Sequence, residues 1–187
     1  MAQKYDVVIT NPPYMGRRKS MNDKLSEYTD SNYKNSKMDL FSVFITKNIS
    51  MLKNNGYCGF MTPFVWLYLN SYLELREELL KKIYIQTLVQ LEESSFVDAA
   101  VSICTFVIRK SNLDYNGTYF NLASYPGEDI QPQKVLLGIK DNNMHYVYKR
   151  RMSTFELLPD KRFVFWITDN TIRVFKYDKL ENKVDIK

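Results

Sequence analysis

Short β-branched runs alternate with helical patterns over the first 110 residues, and this alternation restricts the fold more than any other feature. It favours parallel strands, because each helix returns the chain to the same end of a sheet. Only ten residues separate the last two predicted strands, too few for a crossover helix, so these two should pair antiparallel. The sequence therefore predicts an α/β fold whose sheet ends in a β-hairpin. The predicted elements, in chain order, are a strand at Tyr5–Thr10, a helix at Lys37–Asn54, a strand at Tyr57–Met61, a helix at Ser71–Ile83, and strands at Thr87–Leu91 and Ser102–Arg109.

Turn and capping signals lie between and beyond these elements. Ser36 and Asp39 have the spacing of a capping box at the start of the first helix. The segment Met15–Lys37 is polar, basic and rich in Asn and Ser, which predicts a long loop. Farther along, Asn, Gly and Pro punctuate short apolar runs. There we expect irregular strands and loops, with a strand at Phe163–Ile167 and a short helix at Thr171–Leu180.

Composition excludes several classes of protein. The 187 residues, 45% of them hydrophobic, suffice for one domain, or for one domain and a piece of another. The net charge of +5 suits a nucleic-acid partner, but it suits many cytosolic proteins equally well. Cys58 and Cys104 lie in apolar runs, which indicates buried thiols in a reducing compartment, and nothing groups with His145 to indicate a metal site. No apolar stretch could span a bilayer, and we expect a cytoplasmic protein.

The four residues Asn11-Pro12-Pro13-Tyr14 directly follow the first predicted strand. Open α/β sheets place their sites at this end of a strand. Each proline fixes its own φ angle and restricts the residue before it. The side-chain amide oxygen of Asn11 and the carbonyl oxygen of Pro12 should therefore form a rigid pair of acceptors, beside the flat face of Tyr14.

Two fixed acceptors beside an aromatic plane suit the exocyclic amine of a base. Such an amine is a poor nucleophile, because its lone pair is delocalised into the ring. Accepting both of its hydrogens localises the lone pair and positions the nitrogen to attack an electrophilic methyl group. The alternative is structural, since Asn-Pro commonly opens turns and Tyr14 could simply pack.

Several stretches carry a resemblance to a known family. The NPPY tetrapeptide resembles the (N/D/S)PP(Y/F/W) motif of amino-methyltransferases that use S-adenosylmethionine. Asn55–Pro63 looks like a region of the N6-adenine DNA methyltransferases, and Leu91–Arg109 looks like the final hairpin of their catalytic domain. The stretches DLFSVFITKNISMLKNNGYCGFMTP and FVFWITDNTIRVFKYDKL look closest to the large adenine methyltransferases of BREX phage-defence systems and to type II enzymes that fuse methylase and nuclease.

The resemblance implies a partial Rossmann-like S-adenosylmethionine methyltransferase sheet: its C-terminal half, ending in an antiparallel β-hairpin, followed by a less regular α+β C-terminal extension. Residues 1–111 would form the C-terminal half of the catalytic domain. Residues 112–187 would form a linker and the start of a target-recognition or accessory region. Because no GxG turn follows a strand, the main cofactor site would lie outside the chain. The isolated fragment would then be inactive and prone to self-association through bare strand edges.

The resemblance also implies roles for single residues. Asn11 and the carbonyl of Pro12 would hold the amine of a flipped adenine. Tyr14 and Phe96 would sandwich the base, although Phe96 could instead be a core aromatic of the hairpin. Asn11 and Pro13 would contact the cofactor, S-adenosylmethionine.

The basic run Arg17-Arg18-Lys19 follows the motif and suggests contacts with the DNA backbone, with a solvated loop as the alternative. The interpretation is a site-specific DNA adenine-N6 methyltransferase of restriction-modification or phage defence. It implies double-stranded DNA as partner, together with restriction or phage-defence subunits, and neither a membrane nor a metal. Two alternatives remain: a protein glutamine N-methyltransferase, and a non-catalytic DNA-binding or assembly subunit that retains the fold.

Overall fold

Six strands form one mixed sheet in the computed structural model, which describes residues 3–17, 20–92 and 101–175. The strands are β1 (Tyr5–Thr10), β2 (Leu52–Pro63), β3 (Tyr84–Gln90), β4 (Ile103–Arg109), β5 (Asn116–Asn121) and β6 (Val147–Arg151). The α-helices are α1 (Asp23–Asn32), α2 (Leu40–Met51), α3 (Leu73–Lys82), α4 (Ile130–Lys140), α5 (Met152–Glu156) and α6 (Asp169–Val174). Short 3₁₀ turns lie at Phe64–Leu67, Asn70–Tyr72 and Pro159–Lys161. Across the sheet the strand order is β1-β2-β4-β3-β5-β6.

The strand directions confirm the predicted hairpin. β1 and β2 are parallel, and β4 pairs antiparallel with both β2 and β3, with Leu88 opposite Phe106 in the β3–β4 pair. β5 pairs parallel with β3. The carboxyl ends of β1, β2, β3 and β5 therefore lie at one edge of the sheet, called the carboxyl edge below. Binding sites of open α/β sheets form at this edge.

An aromatic core joins the helices to the sheet. The fully buried ring of Trp66 lies 5.0 Å from that of Phe106 on β4 and 5.7 Å from that of Phe163, measured between ring centroids. Helices α2 and α3 add buried side chains to the same core, among them Ile45 and Leu75. Burying each such side chain stabilises the fold by about 1.5–3 kcal/mol. The core therefore fixes the helices against the sheet that carries the carboxyl edge.

The polar segment before α2 contains a helix that the sequence did not reveal. α1 has ten residues, and Asn22 caps it by accepting the amide N–H of Leu25 at 2.9 Å. The prediction of a loop throughout Met15–Lys37 is therefore wrong. Thr29 is the one buried residue of α1, so the segment lacks the apolar period by which a helix is recognised in a sequence.

Helix α2 is shorter than predicted at both ends. Asp39, and not Ser36, is its N-cap residue. The predicted extension to Asn54 is also wrong, because β2 already begins at Leu52, which pairs with Tyr5 of β1. Pairing with a distant strand has overridden the local helical pattern there.

The apolar run Phe163–Ile167 is not a strand, contrary to the prediction. Phe163 and Phe165 are fully buried, and the amide N–H of Phe163 donates to the carbonyl of Leu67 at 2.9 Å. A short apolar run is buried whether it is a strand or an irregular segment, so its pattern alone does not distinguish the two. The helix predicted at Thr171–Leu180 is present in part as α6, and residues after 175 lie outside the described chain.

Residues on both sides of the predicted domain boundary belong to the same sheet. β5 and β6, which follow residue 111, extend the sheet beyond β3. The assignment of residues 112–187 to a linker and target-recognition region stays a prediction.

None of the helices described has the length and apolar character needed to cross a membrane.

Candidate active site at the carboxyl edge of the sheet

The NPPY motif begins at the carboxyl end of β1, where the sequence predicts it. Pro12 is buried, whereas Asn11 and Pro13 are exposed and Tyr14 is 37% exposed. The buried proline anchors the turn to the body of the protein. The three exposed residues are accessible to a ligand.

The structure brings Asn11 and Tyr14 together. The hydroxyl oxygen of Tyr14 lies 3.4 Å from the Oδ1 atom of Asn11 and 3.3 Å from the carbonyl oxygen of Met61. A hydroxyl has a single hydrogen and can donate fully to one acceptor only, and both contacts are long. The amide oxygen of Asn11 therefore retains capacity to accept a hydrogen from an amine.

The ring of Tyr14 packs against a ring of α2. It meets the ring of Phe41 edge-on, at 6.4 Å between centroids and 87° between planes. Burial raises the pKa of the Tyr14 hydroxyl, and the nearby Cys104 thiol adds to the effect, so the hydroxyl stays protonated at neutral pH. The phenol is consequently a neutral donor, and 37% of the residue is exposed.

Asp39 contacts the residue that directly follows the motif, and the sequence did not indicate this contact. Its Oδ1 atom accepts the amide N–H of Met15 at 2.9 Å, directly after the motif, and that of Phe41 at 3.2 Å. Burial raises the pKa of the carboxyl, and the backbone hydrogen bonds oppose that rise. Asp39 and Arg17 also line an open cleft of about 700 Å³ beside the loop. The only signal in the sequence was the capping position of Asp39, which accounts for one of its two contacts.

Arg17 is engaged with a carboxylate in this structure. Its two guanidinium nitrogens donate to the two oxygens of Asp30, and the Nζ atom of Lys37 lies 2.9 Å from the same group. Two cations thus share one carboxylate. The predicted contact between Arg17 and the DNA backbone stays a prediction, and it requires Arg17 to exchange or share its bond with Asp30.

Asp30→Asn is expected to lower the melting temperature most near neutral pH. Hydrogen bonds from Arg17 and Lys37 hold the pKa of Asp30 well below its usual value of 3.8. A lowered folded-state pKa means that the ionised carboxylate stabilises the fold above the unfolded pKa, and that this contribution is lost as the pH falls through the folded one. Thermal unfolding of both forms from about pH 7 to about pH 3 should show a difference that shrinks at the acid end. Asp23→Asn on the same helix is the control, and a pH-independent difference for Asp30→Asn would contradict the assignment.

Three of the predicted site residues, Arg18, Lys19 and Phe96, lie outside the described chain. The strand ends on either side of the segment that contains Phe96 are described. The amide N–H of Leu91 donates to the carbonyl of Ile103 at 3.0 Å, so β3 and β4 stay paired up to the carboxyl edge. The base-stacking role of Phe96 and the backbone contacts of Arg18 and Lys19 stay predictions.

The two cysteines are buried and free, as the sequence predicts. Burial raises the pKa of each thiol to about 12, so both stay protonated and behave as small apolar side chains. In the described part of the chain, no three His, Cys, Asp or Glu side chains are grouped closely enough to hold a metal ion.

The sheet order, with an NPPY turn at the carboxyl edge, defines a partial Rossmann-like methyltransferase fold. A type I restriction-modification system methyltransferase subunit from Streptococcus thermophilus shares this fold, with a TM-score of 0.64 and 16% identity over 87% of this chain and 38% of that chain. The predicted α/β class with a partial Rossmann-like sheet is therefore confirmed.

Sequence relatives narrow this class to a family. The chain is 29% identical to the adenine-specific methyltransferase PglX of Lacticaseibacillus casei (strain Zhang) over 97% of its length, and 30% identical to the adenine-specific methyltransferase BrxX of Escherichia coli O9:H4 (strain HS) over 90%. It spans 16% and 14% of the lengths of these two relatives. The profile of the Eco57I restriction-modification methylase family matches residues 1–96, and the chain belongs to this family.

Proposed function

We propose that the protein containing this chain transfers a methyl group from S-adenosylmethionine to the N6 amine of an adenine flipped out of double-stranded DNA. The observation that carries the proposal is that Asn11 and Tyr14 are both exposed at the carboxyl end of β1, with the Tyr14 hydroxyl 3.4 Å from the Oδ1 atom of Asn11. Membership of a restriction-modification methylase family supports DNA as the substrate. The adenine-specific names of both relatives support adenine as the target base.

The residues of the motif would act by position and by charge. The Oδ1 atom of Asn11 and the carbonyl oxygen of Pro12 would accept the two hydrogens of the amine, which localises the lone pair of the nitrogen. The face of Tyr14 would stack on the extruded base, and such stacking returns about 1–3 kcal/mol of the cost of extrusion. Phe96 would cover the other face of the base. Arg17, Arg18 and Lys19 would contact the DNA backbone beside it.

The described residues fit one side of a cofactor site. Asn11 and Pro13 are exposed at the carboxyl end of β1. Ile9 on β1 is 80% exposed, and β1 is an outermost strand that pairs with β2 and with no other described strand. When bound, S-adenosylmethionine would supply the electrophilic methyl group. Asn11 and Pro13 would help to hold the cofactor next to the amine. That residues outside this chain make its main binding contacts stays a prediction.

The setting of the activity is proposed from the relatives. The family name supports restriction-modification as the setting, and the stretches that resemble the enzymes of BREX systems favour phage defence. Restriction or phage-defence subunits are the expected partners. A cytoplasmic location stays a prediction. A protein glutamine N-methyltransferase also suits an NPPY motif, but no relative named above supports a protein substrate.

The experiment that tests this function is a methyl-transfer assay on the full-length protein. Incubation with DNA and radiolabelled S-adenosylmethionine should place the label in the DNA, and mass spectrometry of the digested DNA should identify N6-methyladenine. The control is the same DNA methylated beforehand, which should accept little label. Label on protein glutamine would favour the first alternative. DNA binding without any methyl transfer would favour a non-catalytic subunit.

A further inference from the structure

Asp39 connects the NPPY loop to α2 through more than a helix cap. Its Oδ1 atom accepts the amide N–H of Met15, 24 residues earlier in the chain, at 2.9 Å. The amide N–H of Leu40 donates to the carbonyl of Met15 at 3.0 Å, and that of Arg17 donates to the carbonyl of Met38 at 3.1 Å. The residues on either side of Asp39 are thus bonded to the segment that directly follows Tyr14.

The other capped helices show what a cap alone does. Asn22 accepts the amide N–H of Leu25 within α1, and Thr168 accepts that of Thr171 within α6. Both of these contacts stay within the capped helix. Asp39 accepts the N–H of Phe41 in the same way, but its same oxygen also accepts the Met15 N–H of another segment. A carboxyl oxygen has more than one lone pair, so the single Oδ1 atom can accept from both segments and restrain both.

The segment restrained by Asp39 carries the side chains of the proposed reaction. Met15 directly follows Tyr14, whose ring is also held by Phe41 of α2 and whose hydroxyl contacts Asn11. We propose that Asp39 is a positioning residue of the methyl-transfer site, which fixes the backbone after NPPY so that the Tyr14 ring and the Asn11 amide oxygen meet the target amine. This inference rests on the proposed function, because it assigns Asp39 a role in the same reaction.

The test compares four variants of the full-length protein. Asp39→Ala removes both bonds, and Asp39→Asn keeps an acceptor oxygen for both. Asp39→Ser retains a good N-cap residue for α2, but its side chain is one bond shorter and should not reach the amide N–H of Met15. Thr168→Ala is the matched control, because it removes the cap of α6 and touches no residue of the motif.

Asp39→Ala and Asp39→Ser are expected to lower kcat for adenine methylation by about 10–100-fold with little change in KM for DNA, since a misplacement of about 1 Å can cost about 100-fold. Asp39→Asn should restore kcat to within a few-fold of wild type, and Thr168→Ala should leave it unchanged. Hydrogen exchange of peptides covering residues 11–17 should accelerate in the Ala and Ser variants only.

Two results would overturn the proposal. One is an unchanged rate of hydrogen exchange at residues 11–17 in Asp39→Ser. This measurement also tests the proposal if Asp39→Ala fails to fold. The other is a wild-type kcat in Asp39→Ala. If the wild-type protein methylates no adenine, the proposed function fails, whereas the exchange measurement still reports whether Asp39 holds the loop.

Discussion

Asn11→Ala is expected to lower kcat for adenine methylation by about 100–1,000-fold, the usual cost of removing one preorganised polar group that acts on the reacting atoms. The side chain is exposed and supports no part of the core, so the fold should be unaffected. The loss should fall on kcat rather than on KM for DNA, because Asn11 would act on the amine only after the base is in place. Initial rates at saturating DNA, with the melting temperature measured alongside, check this prediction.

Two further variants sharpen the result. Asn11→Asp keeps an acceptor oxygen and should retain more activity than Asn11→Ala. Tyr14→Phe keeps the stacking ring and loses the hydroxyl that contacts Asn11, so it should cost less than Tyr14→Ala, which removes the stacking face as well. Equal rates of adenine methylation by the wild type and Asn11→Ala would show that the motif is not catalytic.

Arg76→Ala is expected to lower the free energy of unfolding by about 3–5 kcal/mol, because it leaves a cavity and removes the donor from three buried or part-buried carbonyls. Arg76 is fully buried. Its guanidinium donates to the carbonyls of Trp66 and Leu69, both at 2.8 Å, and to the carbonyl of Asp160 at 2.9 and 3.2 Å. Burial lowers the pKa of the guanidinium to about 10, so the group remains charged at neutral pH.

Denaturant unfolding checks the Arg76 prediction, with Arg173→Ala as the matched control. Arg173 is exposed on α6, and its loss should change the unfolding free energy by less than about 0.5 kcal/mol. Arg76→Lys should also destabilise the protein, because an ammonium group cannot reproduce the planar fork that serves three carbonyls. Equal stability of Arg76→Ala and Arg173→Ala would mean that these hydrogen bonds do not hold the segment around Asp160 to the core.

Some elements could be predicted because their signals are local. The apolar run at Tyr5–Thr10 has the composition of a strand, and the ten residues between the last predicted strands of the sheet exclude a crossover. Helix α1 could not be predicted, because its packing buries one residue only. The strand predicted at Phe163–Ile167 is wrong for a different reason. Its apolar sequence predicts burial, but it does not specify the backbone conformation of the buried segment.

The candidate site likewise contains some contacts that the sequence predicted and others that it did not. The sequence placed Asn11 and Tyr14 together, because the motif is four residues long and its prolines restrict it. It did not indicate that Arg17 would be bonded to Asp30, or that Asp39 would hold Met15. Ion pairs and hydrogen bonds between segments depend on how α1 and α2 pack, and no local pattern encodes that.

The sequence by itself determined the alternation of strands and helices, the antiparallel pairing of β3 and β4 and the location of NPPY after a strand. Each of these depends on residue period, loop length or proline geometry within a short stretch of chain. Tertiary structure alone decided what holds the motif and the core in place. The bond from Met15 to Asp39 joins residues 24 apart, and the bond from Arg76 to Asp160 joins residues 84 apart. Such contacts form only when the whole sheet has brought distant segments together.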